Sequence, residues 1–255
     1  MGELKDISWK VQRELILVNK VTETKDVKSF YFKAKDNEKL KTYKPGQFLP
    51  FKIKTEDPKY KTATRTYSLS MKPNDKEYRI SVKKIEGGLI STYLHEKLEI
   101  GDSIIAMPPG GNFTLKENSK NIPLVLMSGG IGITPVLSML YEAVGKREDI
   151  YFIQAVMNSK EQPLADEVKK FSDLNLIKSI VFYSEPLEND IQGENYNFDG
   201  FVNEEWIRES LPLNAEFYFC GPPPFMKAVN KALLNLGVSK ENINFEFFGK
   251  SQSME

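Results

Sequence analysis

The sequence predicts two domains: a small antiparallel Greek-key β-barrel with one helix over residues 1–118, then a Rossmann-like α/β layer with a parallel sheet over residues 119–255. Three observations lead there. Six short runs of aromatic and β-branched residues, separated by turn residues, fill the first half. After Asn118 the pattern changes to an apolar run, a turn and a segment of helical period, repeated several times. A chain of 255 residues is also the length of two domains rather than one.

In the first half, strands are expected at 15–21, 27–34, 48–54, 64–71, 78–85 and 103–107. Pro45-Gly46, Asp57-Pro58, Pro73-Asn74-Asp75, Gly87-Gly88 and Gly101-Asp102 fall between the runs, where the chain must turn. A helix is expected at 90–98. In the second half, apolar runs at 124–127, 151–156, 177–183 and 217–219 alternate with helical stretches near 135–144, 164–171, 204–209 and 225–236. Such alternation implies βαβ units with right-handed crossovers. A last strand is expected at 243–248, and the polar Ser119-Lys120-Asn121 marks the joint between domains.

The 35 Lys and Arg balance 35 Asp and Glu, so no basic excess meets a phosphate backbone and nucleic acid is not an expected partner. Cys220 is the single cysteine, which excludes an intramolecular disulfide, a Cys₄ zinc site and a four-thiolate cluster. With His95 the only histidine, a bis-His haem or His-rich metal centre is excluded too. No metal is expected, and redox chemistry would need an organic cofactor. Residues 1–10 lack an apolar signal core and nowhere do about 18 apolar residues run together, so the reading is a soluble cytoplasmic protein without a membrane partner. Met1-Gly2 opens like a myristoylation signal, but Asp6 stands where Ser or Thr is needed.

Met127-Ser128-Gly129-Gly130-Ile131-Gly132-Ile133-Thr134-Pro135 lies between a buried strand and a helix, where backbone N–H groups can hold a phosphate. Thr134 suits the N-cap and Pro135 the first helical position. Pro135 replaces the third glycine of the common dinucleotide fingerprint, and the second strand runs into Met157-Asn158-Ser159-Lys160 without an acidic residue. The turn reads as a nucleotide site or as a tight strand–helix connection. Cys220-Gly221-Pro222 closes another strand; its thiol either lines a reaction site or fills space as a small hydrophobe. Arg65-Thr66-Tyr67-Ser68 offers a guanidinium to a pyrophosphate and an aromatic to a planar ring, or is simply a strand with alternating faces. Gly87-Gly88-Leu89-Ile90-Ser91 opens the helix of the first half, as an anion site or as a capped glycine turn. His95 reads as solvated or locally bonded with no catalytic role, and the runs 52–61 and 185–190 read as solvated loops.

In order and spacing these segments, with Glu246-Phe247-Phe248-Gly249, resemble the ferredoxin-NADP reductase superfamily, and within it the reductase module of flavohaemoglobins, from about Trp9 to Gly249. The resemblance implies an FAD-binding barrel followed by an NAD(P)-binding α/β domain. By likeness, Phe48, Arg65, Thr66, Tyr67 and Ser68 touch the flavin and its phosphates, with Ser68 near the reactive nitrogen. Gly88, Ser91 and Thr92 hold the FAD pyrophosphate. Gly130, Ile131, Gly132, Ile133, Thr134 and Pro135, with Ser159, Gly221 and Pro222, bind the pyridine nucleotide, and Cys220 sits beside the nicotinamide. Phe247, Phe248, Gly249 and Lys250 close over the flavin, Phe248 stacking on its ring. Glu246 tunes flavin potential or relays protons. The catalytic set implied is Ser68, Cys220 and Glu246.

Two departures stand out: Phe48 replaces a Tyr and Phe247 a Cys. No globin domain precedes Trp9 and no cluster-binding cysteines are attached, so the expected acceptor is separate: a haem protein, an iron-sulfur protein or a small molecule. The resemblance thus implies an FAD-dependent NAD(P)H oxidoreductase in which a hydride passes from nicotinamide to flavin N5, with NADH favoured over NADPH. Its rivals are an electron-input subunit active only inside a larger complex, and a nucleotide-binding regulator that has lost flavin. Retention of Arg65, Tyr67, Ser68 and Phe248 argues against the second rival.

Overall fold

The computed structural model describes residues 12–116 and 122–248. Trp9, the expected joint at 119–121 with the boundary beside it, Gly249 and Lys250 lie outside the described residues.

Six antiparallel strands build the first half: β1 (Arg13–Thr22), β2 (Val27–Ala34), β3 (Phe48–Ile53), β4 (Thr64–Ser68), β5 (Tyr78–Lys83) and β6 (Ser103–Ala106), in the order β4-β3-β6-β1-β2-β5. The two edges meet, because Leu69 bridges Ile80 and the Ser70 N–H donates to Arg79 O at 2.9 Å. That contact closes the barrel. Alternation decides what each strand buries. On β5, Tyr78, Ile80 and Val82 enter the apolar core with Leu15, Phe30 and Phe51. Arg79, Ser81 and Lys83 form the outward row of the same strand. Ser81 Oγ lies 2.7 Å from Ser29 Oγ and 2.9 Å from Ser70 Oγ, so the polar row is satisfied although buried.

Two short helices decorate the barrel. α1 (Pro58–Lys61) falls in a run expected to be loop; Asp57 caps it by accepting from Lys59 N at 2.9 Å, Pro58 opens it, and Tyr60 is buried beneath. α2 (Leu89–Glu96) buries Ile90 and Leu94. It also buries His95, so of the two expected states, solvated or locally bonded, the bonded one holds: Nε2 lies 2.8 Å from Val82 O and the ring meets the Phe30 ring edge-on at 5.8 Å. Burial pushes its pKa down.

The second half is a six-stranded parallel sheet. Its elements are β7 (Leu124–Gly129), α3 (Ile133–Ala143), β8 (Ile150–Val156), α4 (Ala165–Asp173), β9 (Lys178–Tyr183), β10 (Phe198–Asp199), α5 (Glu204–Ser210), β11 (Glu216–Cys220), α6 (Pro223–Asn235) and β12 (Ile243–Glu246). Strand order is β10-β9-β8-β7-β11-β12. α3 and α4 cover one face, α5 and α6 the other. The two-residue β10 has no periodicity to read in sequence; Phe198 holds it by stacking on Phe182 at 5.0 Å.

The barrel docks on the α3–α4 side. Arg79 bonds the Glu167 carboxylate through both terminal nitrogens, Nη2 at 3.1 Å, and Tyr141 donates its hydroxyl to the same carboxylate. Ser138 Oγ donates to Met71 O at 2.9 Å, and Lys25 pairs with Glu161 at 2.6 Å. Among the described residues no helix is long and apolar enough to cross a membrane.

Candidate active site

β7 ends at Gly129, and a 3₁₀ turn over Gly130–Gly132 runs directly into α3. The helix is capped by Gly132, so Thr134 is not the N-cap and Pro135 is the third helical residue rather than the first. Thr134 instead donates Oγ1 to Ile131 O at 3.2 Å. Pro135 still fits, since its missing N–H is one of the four that have no intrahelical acceptor. No side chain fits at that cap. A Cβ on Gly132 would lie 2.1 Å from Cys220 O and 2.7 Å from Gly221 N. A Cβ on Gly221 would lie 2.9 Å from Gly129 Cα. The Gly129–Pro135 and Cys220–Pro222 turns therefore interlock backbone on backbone at the carboxyl edge of the sheet, where open α/β folds bind ligands. Gly130 has φ +51° with open space where a side chain would go.

Two clefts adjoin this rim. The first, of about 570 Å³, is lined from the barrel by Phe48, Arg65, Thr66, Tyr67 and Ser68, and from the second half by Ile131, Thr134, Glu246, Phe247 and Phe248. Residues some 200 positions apart in sequence thus face one space. The second, of about 500 Å³, is lined by Gly129, Gly130, Met157, Phe201, Pro222 and Phe225 among others. Lys83 lines both. Volumes of this size suit an organic cofactor or nucleotide.

Local structure sets each group. Phe48 pairs with Ser68 across β3 and β4, and its ring packs on Gly111, whose φ of +112° and absent side chain leave the room; a Cβ there would come within 2.9 Å of the ring. Tyr67 stacks on Phe51 at 5.7 Å, and burial pushes its phenol up to about 12, so it stays neutral. Arg65 is exposed and donates Nη1 to Thr64 O at 2.8 Å. Ser68 is buried. Cys220 and Glu246 are cross-strand partners on β11 and β12. Burial pushes the Glu246 carboxyl up to about 7. Burial first, then the neighbouring Glu246 charge, push the Cys220 thiol well above its usual range. It is a neutral thiol.

Several expected residues face neither cleft. Cys220 is fully buried and, with Gly132, Ile133, Pro135 and Gly221, backs the rim. Gly88 caps α2 without a side-chain bond, Thr92 N–H donates to Gly88 O, and Ser91 Oγ accepts from Ile85 N at 3.2 Å, so that hydroxyl fastens the glycine turn. Ser159 N–H donates to Asp190 Oδ2 at 3.3 Å. Sequence reasoning missed Lys83, whose only linear signal is its place in the outward row of β5.

A family model for an oxidoreductase FAD-binding domain matches residues 14–115, and one for an oxidoreductase NAD-binding domain matches residues 126–231. A flavohemoprotein of Bacillus thuringiensis is 39% identical over 98% of this chain, and one of Bacillus subtilis 37% identical over 96%. The chain spans 64% and 61% of their respective lengths. Among solved structures, the FAD/NAD-binding domain of a nitric oxide dioxygenase from Vibrio cholerae superposes with a TM-score of 0.84 at 32% identity, covering 94% of this chain and 100% of that one. The ferredoxin reductase of a carbazole 1,9a-dioxygenase, at 19% identity and a TM-score of 0.80 over 93% of this chain and 69% of that one, shares the fold.

Proposed function

Because this chain belongs to the family of flavin-dependent NAD(P)H oxidoreductases that join an FAD-binding to an NAD-binding domain, as the flavohemoprotein reductases do, we propose that it takes electrons from NADH and passes them to a separate acceptor. The observation that carries this reading is the meeting of the two clefts at Lys83. Bound flavin supplies a ring that accepts a hydride from nicotinamide and gives up electrons afterwards. The chain supplies position and electrostatics. Arg65, Thr66 and the first-turn N–H groups of α2 at Leu89–Ser91 bind FAD phosphates. Phe48, Tyr67, Phe247 and Phe248 flank the flavin ring and exclude water, and the buried Ser68 hydroxyl donates to it. Gly130 and Pro222, on the second cleft, hold the nucleotide, Ile131 and Thr134 face the flavin side, and Gly132, Ile133, Pro135 and Gly221 fix the turns behind them. Cys220, small and neutral, forms the wall behind the nicotinamide. Glu246, titrating near neutral pH, holds or releases a proton at its carboxyl.

The acceptor class favoured is a haem protein, because the relatives that match over nearly the whole chain are named flavohemoproteins. The deciding experiment is anaerobic stopped-flow mixing of FAD-loaded protein with NADH and, separately, NADPH. Bleaching of the flavin band within the mixing seconds, faster with NADH, is expected. Flavin that binds but is bleached by neither nucleotide would favour a subunit active only within a complex; protein that takes up no FAD would overturn the reading.

A further inference from the structure

Two helices of the parallel-sheet half hold one short piece of the barrel, residues 68–71. Leu69 enters the apolar core, and its neighbours Ser68 and Ser70 take the opposite face. Ser68 lines the first cleft. Ser70 Oγ lies 2.9 Å from Ser81 Oγ, and Ser81 lines that cleft too. Arg79 grips Ser70 at two points, donating Nε to Oγ at 3.0 Å and Nη2 to the backbone O. Its terminal nitrogens also hold the Glu167 carboxylate of α4, which accepts the Tyr141 hydroxyl of α3. Met71 O, one residue beyond Ser70, accepts from Ser138 Oγ of the same helix at 2.9 Å.

The turn that opens α3 sits on the clefts: Ile131 and Thr134 line the first and Gly130 the second. Tyr141 is about two turns further along that helix. Tyr141, Glu167, Arg79, Ser70 and Ser81 therefore form one unbroken path of hydrogen bonds from the glycine-turn helix to the wall of the first cleft. The path is stiff, because the guanidinium is a planar fork and its side chain is 4% exposed, so a slackened pair would leave a charge without water. By contrast Lys25, which pairs with Glu161 across the same seam, is 74% exposed and holds it loosely.

A hydride passes only between groups held about 3–3.5 Å apart, and about 1 Å of misplacement costs about 100-fold. The wall with Ser68 and Ser81 and the glycine turn come from different halves of the chain, so the seam sets that distance. We propose that Glu167 is a positioning residue for hydride transfer: through Arg79 and Ser70 it fixes the glycine turn against the wall of the flavin cleft. Glu167 lines neither cleft and acts only through this path. This role rests on the reading of the two clefts as flavin and nucleotide sites.

The test is anaerobic stopped-flow reduction of FAD-loaded wild type, E167D and Y141F by NADH over a range of concentrations. E167D keeps the charge and shortens the reach by one methylene; Y141F removes one hydroxyl and leaves the ion pair. In E167D the limiting rate should fall about tenfold or more, while the half-saturating NADH concentration and the flavin content change less than about twofold. Electron release from dithionite-reduced flavin to ferricyanide should stay within about twofold of wild type, since no nucleotide takes part in it. An ion pair that only stabilises the fold would lower the melting temperature of E167D and leave the limiting rate unchanged, which would overturn the role. If E167D does not retain FAD, Y141F decides: reduction about threefold slower at saturating NADH is expected, and the wild-type rate would overturn the role. Wild-type flavin that NADH does not bleach would overturn the reading of the clefts, and this role with it.

Discussion

Arg79 on β5 and Glu167 on α4, 88 residues apart, form a two-pronged ion pair across the seam between barrel and parallel-sheet half, with the Arg79 side chain only 4% exposed. Arg79 also donates Nε to Ser70 Oγ at 3.0 Å and Nη2 to Ser70 O, which leaves the guanidinium fully engaged. A buried pair of this kind contributes little against an apolar replacement, but removing one partner strands the other. Glu167→Ala should therefore cost about 3 kcal/mol in urea unfolding. A loss below about 0.5 kcal/mol would mean that water reaches Arg79 and solvates it.

Gly132 admits no side chain. An added Cβ would meet backbone, Cys220 O at 2.1 Å, and backbone at the end of a central strand cannot swing aside. Gly132→Ala should destabilise by about 2 kcal/mol and weaken NADH binding far more than FAD binding. Equal weakening of both ligands, read by fluorescence titration, would show that the interlocked turns are not specific to the nucleotide side.

Glu246 gives a pH signature. Its folded pKa of about 7 lies above the ordinary 4.5, so the folded chain holds a proton that the unfolded chain releases. The stabilising contribution is full below 4.5 and is lost as pH rises through 7. Wild-type stability minus that of E246Q should fall by about 1 kcal/mol between those values, after allowance for partial solvent screening. A pH-independent difference would place the carboxyl in water.

Cys220 should be inert to thiol reagents in the native protein at pH 8, because burial keeps it neutral and covered. Cys220→Ala should leave flavin bound while slowing flavin reduction by NADH. A normal reduction rate would return the thiol to simple packing.

Much of this was legible in sequence, and the exceptions share a cause. All six barrel strands and the α2 helix lie within a few residues of where alternation and turn residues put them, because those signals are local. α3 starts two residues before Pro135, at a Gly132 cap packed on Cys220, a contact across 88 positions of chain. α1 starts at Asp57-Pro58, a pair that reads in sequence only as a turn. Within the candidate site, the segments carrying chemistry were visible as motifs. Lys83 and the burial of His95 depend on how strands and loops come together, and a linear reading has no access to that.

Residue parity along β5 also has a meaning for quality control in the cell. A nascent chain that paired this strand one position out of register would turn Arg79, Ser81 and Lys83 into the barrel and Tyr78, Ile80 and Val82 out of it. It would forfeit the link to Glu167, the hydroxyl chain through Ser29 and the lysine shared by both clefts in one stroke. Misfolded copies would thus lose the flavin cleft and expose apolar surface together, which opens them to proteolysis.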